Sequence, residues 1–126
     1  MLRYAKGSNA ERELMRKFND MGYSTIRAAG SGKNQLETPD ICAIKEGKIL
    51  GIESKAKNTT ILYVSKEQIT QGIEWAKRAN AEYLIAWKIH RIGWRLFNLE
   101  QMIEKKESYS ITQYRALKEG RTIQEF

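Results

Sequence analysis

Two short apolar runs, Ile41-Cys42-Ala43-Ile44 and Ile49-Leu50-Gly51-Ile52, flank the charged, glycine-containing segment Lys45-Glu46-Gly47-Lys48. This arrangement predicts a β-hairpin from about Asp40 to Lys57. With the turn centred on Glu46-Gly47, Ile41 faces Ile52 across the hairpin and Asp40 faces Glu53. Side chains alternate along a strand, so Lys55 emerges on the face that carries Glu53. Directly opposed residues hold their Cβ atoms about 4.5–5.5 Å apart, and like charges placed there repel, so the acidic pair needs a compensating cation. Away from that end, Cys42, Ile44, Ile49 and Gly51 line one face, and Ile41, Ala43, Leu50 and Ile52 line the other. A hairpin apolar on both sides requires cover on both, which places it centrally in a sheet.

The rest of the chain supplies that cover. Ser8-Asn9-Ala10-Glu11 has the pattern of a capping box, and Leu14, Met15, Phe18 and Met21 follow at helical spacing, predicting a helix from about Ser8 to Met21 that Gly22 ends. Tyr23–Ala29 reads as a strand and Gly30–Asn34 as a loop. A second box, Ser65-Lys66-Glu67-Gln68, opens a helix that runs to about Asn80, with Ile69, Ile73 and Ala76 on one face. Gly72 either weakens that helix or admits a close neighbour. Glu82–His90 and Trp94–Leu99 read as two further strands joined by Arg91-Ile92-Gly93. Beyond them the pattern is weaker, and Met102-Ile103 and Tyr114–Leu117 are expected to cover a sheet edge. The order predicts an α/β fold with a central five-stranded mixed β-sheet flanked by α-helices. No composition shift divides the chain, so a single domain over residues 1–126 is expected.

Composition narrows the function classes. Twenty-two Lys and Arg against fifteen Asp and Glu give a formal charge of +7, which points to a polyanionic partner. The charge alone fits nucleic acid, ribosomal RNA or a membrane surface, and the acidic pair within a basic chain favours nucleic acid. No apolar run approaches a membrane span and no signal-peptide core follows Met1, so no membrane partner and an intracellular location are expected. The one cysteine, Cys42, is expected to be a small buried hydrophobe. His90 is the only histidine, which argues against a histidine zinc site or a serine-type triad. Trp75, Trp87 and Trp94 can stack on bases, but their spacing favours core positions.

Asp40, Glu53 and Lys55 suit a magnesium-dependent phosphodiesterase. Magnesium takes one or two carboxylates and keeps several waters, and a lysine beside it offers a point charge with three donors. The plain alternative is a set of strand-end ion pairs, worth only about 0–1 kcal/mol when exposed. Glu11 has two readings as well: a capping-box acid, or a third ligand if its helix lies over the acidic face. Arg27 is placed to clamp a phosphate, and Ser31 and Lys33 are phosphate donors if the Gly30–Asn34 loop contacts DNA.

Four segments in order carry a wider resemblance: Lys6-Gly7-Ser8-Asn9-Ala10-Glu11-Arg12-Glu13-Leu14, Arg27-Ala28-Ala29-Gly30-Ser31, Pro39-Asp40 and Ile52-Glu53-Ser54-Lys55. Together they resemble the archaeal-type Holliday junction resolvases of the restriction-endonuclease-like nucleases, over roughly Lys6 to Leu99. The resemblance implies a restriction-endonuclease-like fold. It also implies a homodimer that binds a four-way DNA junction and makes paired, symmetrical nicks with Mg2+, for which Mn2+ can substitute. It makes Glu11, Asp40 and Glu53 the metal ligands, Lys55 the transition-state stabiliser, Ser31 the active-site loop serine and Arg27 a contact beside the scissile bond. Lys33, Arg12 and Lys57 complete the candidate DNA contacts. Two departures stand out: a longer stretch from Gly32 to Thr38, and Ser54 where an apolar residue is usual. A nuclease acting on linear, flap or restriction-site DNA, or a non-catalytic junction or RNA binder, is the alternative.

Overall fold

In chain order the elements are α1 (Arg3–Asp20), β1 (Ser24–Arg27), β2 (Ile41–Lys45), β3 (Lys48–Lys55), β4 (Ile61–Ser65), α2 (Lys66–Ala79), β5 (Glu82–Ile89), β6 (Gly93–Phe97), β7 (Ile103–Glu104), β8 (Ser108–Thr112) and α3 (Gln113–Glu119). They are taken from a computed structural model that describes residues 3–28 and 38–126, with side chains in α1 from Gly7 onward. Ser31 and Lys33 lie outside the described residues, as do Ala29 and the Gly30–Asn34 loop.

The hairpin forms in the expected register, with Ile41 opposite Ile52 and Lys45 opposite Lys48. Its two-residue turn has Glu46 at φ 49° and Gly47 at φ 81°. Positive φ at both positions is the type I′ geometry whose twist matches that of the strands. Glutamate is a poor occupant of the left-handed region, where its Cβ crowds the next carbonyl, whereas asparagine tolerates it. Glu46→Asn should therefore raise stability by about 1 kcal/mol. Urea unfolding would measure it, and an unchanged midpoint would contradict the turn assignment.

β3 lies at the centre of a five-stranded sheet in the order β1-β2-β3-β5-β6, with β3 and β5 parallel and the other pairs antiparallel. Leu14 and Phe18 of α1 pack with Ile41, Ala43, Leu50 and Ile52 on one face. On the other face, Ile69 and Ala76 of α2 pack with Ile85 and Trp87 and with Leu62 and Ile111 of a second sheet. Trp87 and Trp94 are buried and Trp75 is half-buried.

Ser65 caps α2 as expected, its hydroxyl accepting from the Gln68 amide at 3.1 Å, and the helix ends on Asn80 in the left-handed conformation. Gly72 has a spatial reason: a Cβ there would sit 2.1 Å from the Tyr83 ring. That contact seats α2 against β5.

Several expectations are corrected. α1 begins at Arg3, so Ser8 is no N-cap, and its buried hydroxyl instead accepts from Arg12 at 2.5 Å and Arg27 at 2.9 Å. Cys42 is half-buried, because α2 covers β3 and β5 and leaves the same face of β2 partly open; burial still pushes its thiol pKa up. The C-terminal strands β7 and β8 join mid-chain β4 in a second, three-stranded sheet of order β4-β8-β7, and α3 follows β8. The Tyr114–Leu117 stretch, within α3, does meet a sheet edge: buried Ala116 packs in one cluster with Phe97 of the edge strand β6, while Tyr114 itself is 73% exposed. β6 is also met by Arg121, which exchanges two 2.8 Å backbone hydrogen bonds with Leu96. Among the described residues, no helix is long and apolar enough to cross a membrane.

Candidate active site

Asp40 follows buried Pro39 and stands immediately before β2. Its position is fixed from both sides. The Ala28 amide donates to its carbonyl and the Ser54 amide donates to its Oδ2, each at 2.9 Å. Glu53 lies on the neighbouring strand, only 6% exposed, with its carboxyl close enough to that of Asp40 for the two charges to interact. Burial, followed by the charge of Asp40, pushes the Glu53 pKa up to about 8, and the nearby Lys55 ammonium and the Gln68 amide counteract only part of that rise. The acid pair that strand pairing predicted is thus a partly desolvated site with a strong demand for positive charge.

Gln68, from the first turn of α2, connects this group. Its Nε2 donates to Glu53 Oε2, and its Oε1 accepts from Lys55 Nζ at 3.0 Å. Sequence reasoning used Gln68 only as the last member of a capping box. Its backbone amide does make the cap, but its side chain turns inward instead of back toward Ser65. The available signal was Ile69: a buried residue one position along α2 puts the start of that helix on the Glu53 face of the hairpin.

Glu11 belongs to a neighbouring cluster. α1 packs on the opposite face of the sheet from Glu53, and Glu11 accepts from Arg27 Nε at 2.7 Å, beside Ser8 and Arg12. The two clusters share one end of the sheet, since burial first and then the charge of Asp40 raise the Glu11 pKa, against the Arg27 hydrogen bond. The structure therefore brings Asp40, Glu53 and Lys55 together and sets Glu11 and Arg27 to the side. Among the described residues no three Asp, Glu, His or Cys side chains converge to hold a metal ion. Lys57 and Arg12 are exposed nearby in the chain.

The donor chemistry fits a hard divalent cation. Asp40 and Glu53 offer adjacent carboxylate oxygens, and such an ion needs only one or two carboxylates, with water and substrate phosphate filling its remaining positions.

A five-stranded mixed sheet carrying two carboxylates and a lysine at one end, Asp40, Glu53 and Lys55, defines a restriction-endonuclease-like nuclease. The fold is similar to that of Archaeoglobus fulgidus Hjc, a Holliday junction resolvase from an archaeal hyperthermophile, with a TM-score of 0.86 and 29% identity over 95% of this chain and 93% of that one. A bacterial homing endonuclease, I-Ssp6803I, shares the fold with a TM-score of 0.54 at 14% identity, covering 89% of this chain and 76% of its own. The chain belongs to the archaeal Holliday junction resolvase (Hjc) family, whose family model matches residues 2–126. Curated relatives named crossover junction endodeoxyribonuclease Hjc include that of A. fulgidus, 36% identical over 103 residues, which span 82% of this chain and 75% of the relative. That of Sulfolobus acidocaldarius is 41% identical over 86 residues, spanning 67% of this chain and 60% of the relative.

Proposed function

We propose that this chain is a metal-dependent endonuclease that resolves four-way DNA junctions by paired, symmetrical nicks during recombination and repair. The observation that carries the reading is the juxtaposition of Asp40 and Glu53, tied by Gln68 to Lys55, in the fold of a junction resolvase family. The working location is inside the cell, where the DNA is.

Asp40 and Glu53 are the residues that would hold Mg2+, or Mn2+ in its place, and Glu11, which stands beside the pair on Arg27, is the proposed third acid only if it exchanges that contact for the ion. When bound, such an ion acidifies a coordinated water and neutralises charge on the scissile phosphate. Lys55 supplies a fixed positive charge beside the phosphoryl oxygens, where charge builds up in the transition state. Gln68 holds the Lys55 ammonium and orients the Glu53 carboxylate at the same time. Arg27, held by Glu11 and Ser8, is the proposed clamp on a flanking phosphate. Ser31, Lys33, Arg12 and Lys57 are assigned to DNA contact on the same reading, with Ser31 beside the reacting phosphate.

The pKa of Glu53 makes metal binding depend on pH. Its folded value of about 8 stands above the ordinary 4.5, so between these values the folded chain keeps a proton that the unfolded chain releases. The stability this gives the metal-free protein is complete below about 4.5 and is lost as pH rises through about 8. A cation must displace the proton, so affinity should climb up to about tenfold per pH unit below that value. Gln68→Ala removes a donor that lowers the Glu53 pKa, so it should shift the affinity curve to higher pH. Calorimetric titration with Mn2+ across pH, in buffers of different ionisation enthalpy, would detect the released proton. Affinity independent of pH would count against Glu53 as a ligand.

A second copy of the chain is the proposed partner, since symmetrical nicking of a four-way junction needs two equivalent sites related by a two-fold axis. The half-covered face of the sheet supports it. Trp75 lies over Gly51, Gly51 pairs with half-buried Cys42, and Cys42 pairs with Ile26, which is 64% exposed. These residues make an apolar strip across three strands. Light scattering should give the mass of two chains, and a single-chain mass at working concentration would refute the dimer. For the activity as a whole, a four-way junction should be cut with Mg2+ while a linear duplex of matched sequence is left intact. Equal cutting of both would favour a general nuclease.

A further inference from the structure

Beside the acidic pair, at the same end of the sheet, lies a cavity of which only Lys57 has been given a role. This cleft, of about 500 Å³, opens between α1, the Ala56–Asn58 segment and the turn joining β5 to β6. Its volume is that of a small-ligand site. Buried Ala10 and half-buried Ala56 line it beside the end of β5 at Ile89, together with the exposed Ile92. The rim is basic, with Lys57 and Arg91 exposed beside the exposed His90 ring. Lys57 and Arg91 make no ion pair with the described residues.

The lining carries one carboxylate, Glu13, and it is already committed. Lys88 donates to it at 2.8 Å and the Trp94 indole at 2.7 Å, and the Lys88 hydrogen bond leads in lowering its pKa. The cleft as a whole therefore attracts anions, although its interior is apolar. Arg91 sits at φ 65°, a conformation that costs a non-glycine residue energy, and it lies between two side chains, His90 and Ile92, that line the opening.

Its position links it to cutting. Lys57 lies two residues beyond Lys55, just past the end of β3, and Asn9, also in the lining, is two residues before Glu11. We infer that this cleft takes up a nucleotide extruded from its pair at the branch point of the junction, with its base against Ala10, Ala56 and Ile92 and its phosphate held by Lys57 and Arg91. The inference rests on the junction-cutting reading. A phosphate alone gains nothing from an apolar lining, and a base stacked on both sides within a duplex has no free face to place on it. Taking a base out of the helix costs a few kcal/mol of unstacking and unpairing, and the cost is lower at a branch point, where stacking is already interrupted, than inside a continuous arm. Occupancy of the cleft would thus favour junctions over continuous duplex, and it would fix which phosphate lies next to Lys55.

The test places 2-aminopurine either at the branch point or within an arm of a four-way junction and follows its fluorescence when the metal-free protein binds. Wild type should raise the signal severalfold at the branch point and leave the arm signal unchanged. Ile92→Asp, at an exposed position, should abolish the rise and slow junction cutting, while its melting curve stays that of the wild type. Lys57→Gln should weaken junction binding and make its salt dependence shallower. If wild type cuts junctions but the branch-point signal stays flat, or Ile92→Asp keeps the full rise, the inference is overturned and the junction-cutting reading stands. If wild type neither binds nor cuts junctions, both are overturned.

Discussion

Asp40→Asn and Glu53→Gln should each lower junction cutting by at least about a thousandfold, the scale of losing a principal source of transition-state charge stabilisation. Junction affinity should change little, because binding is carried mainly by Lys and Arg contacts to phosphate. The structure separates this outcome from misfolding. Asparagine at 40 keeps an oxygen that can accept from the Ser54 amide, now 2.9 Å from Asp40 Oδ2, so the end of the strand stays anchored. Glutamine at 53 removes an acid whose burial and proximity to Asp40 raise its pKa to about 8, so the metal-free variant should be at least as stable as wild type above that pH. Single-turnover cutting, junction titration and thermal melts on the same preparations would check all three. Wild-type cutting by either variant would remove the carboxylate pair from the mechanism.

Gly72→Ala should give the largest loss of stability from a one-carbon change. In an open helix alanine is favoured over glycine by about 1 kcal/mol. Here its Cβ would lie 2.1 Å from one Tyr83 ring carbon and 2.2 Å from another, with the hydroxyl at 2.5 Å, so either the ring or the helix must move. Overpacking of that kind costs about 1–3 kcal/mol, which reverses the helix preference. Shortening the neighbour should reverse the loss: Gly72→Ala in a Tyr83→Leu background should cost at least about 1 kcal/mol less than in wild type. Tyr83→Phe alone should be neutral or stabilising, since the buried Tyr83 hydroxyl has no hydrogen-bond partner among the described residues. Urea unfolding of the four-variant cycle measures the coupling, and strict additivity would show that the ring and helix do not compete for space. Because this contact seats α2, the Gly72→Ala enzyme should also lose activity, as Gln68 moves relative to Glu53.

Much of the site was legible because its geometry follows from short-range rules. The hairpin needs only a period of two and a turn containing glycine, and those two facts bring Asp40 to Glu53 with Lys55 alongside. Gln68 was hidden because a local rule explained it well enough: its backbone serves as the cap while its side chain does something that depends on where α2 packs. Ser8 shows the converse, a complete capping pattern overridden because the helix extends back to Arg3 and two arginines take up the hydroxyl. The second sheet depends on pairing between segments far apart in the chain, Ile61 with Thr112 and Ser65 with Ser108, and β8 alternates serines with Tyr109 and Ile111 too weakly to announce a strand. Covering the sheet was predictable in general, but which face each helix took was not. That choice decides whether Glu11 stands over the acidic pair or beside it.

The most direct test of the central claim is a cleavage assay on one four-way junction, end-labelled on each strand in turn, with and without Mg2+. Two nicks at symmetry-related positions on opposing strands, dependent on the metal and absent from the matched duplex, are the predicted result. Unpaired nicks on single strands, or equal cutting of junction and duplex, would contradict the claim.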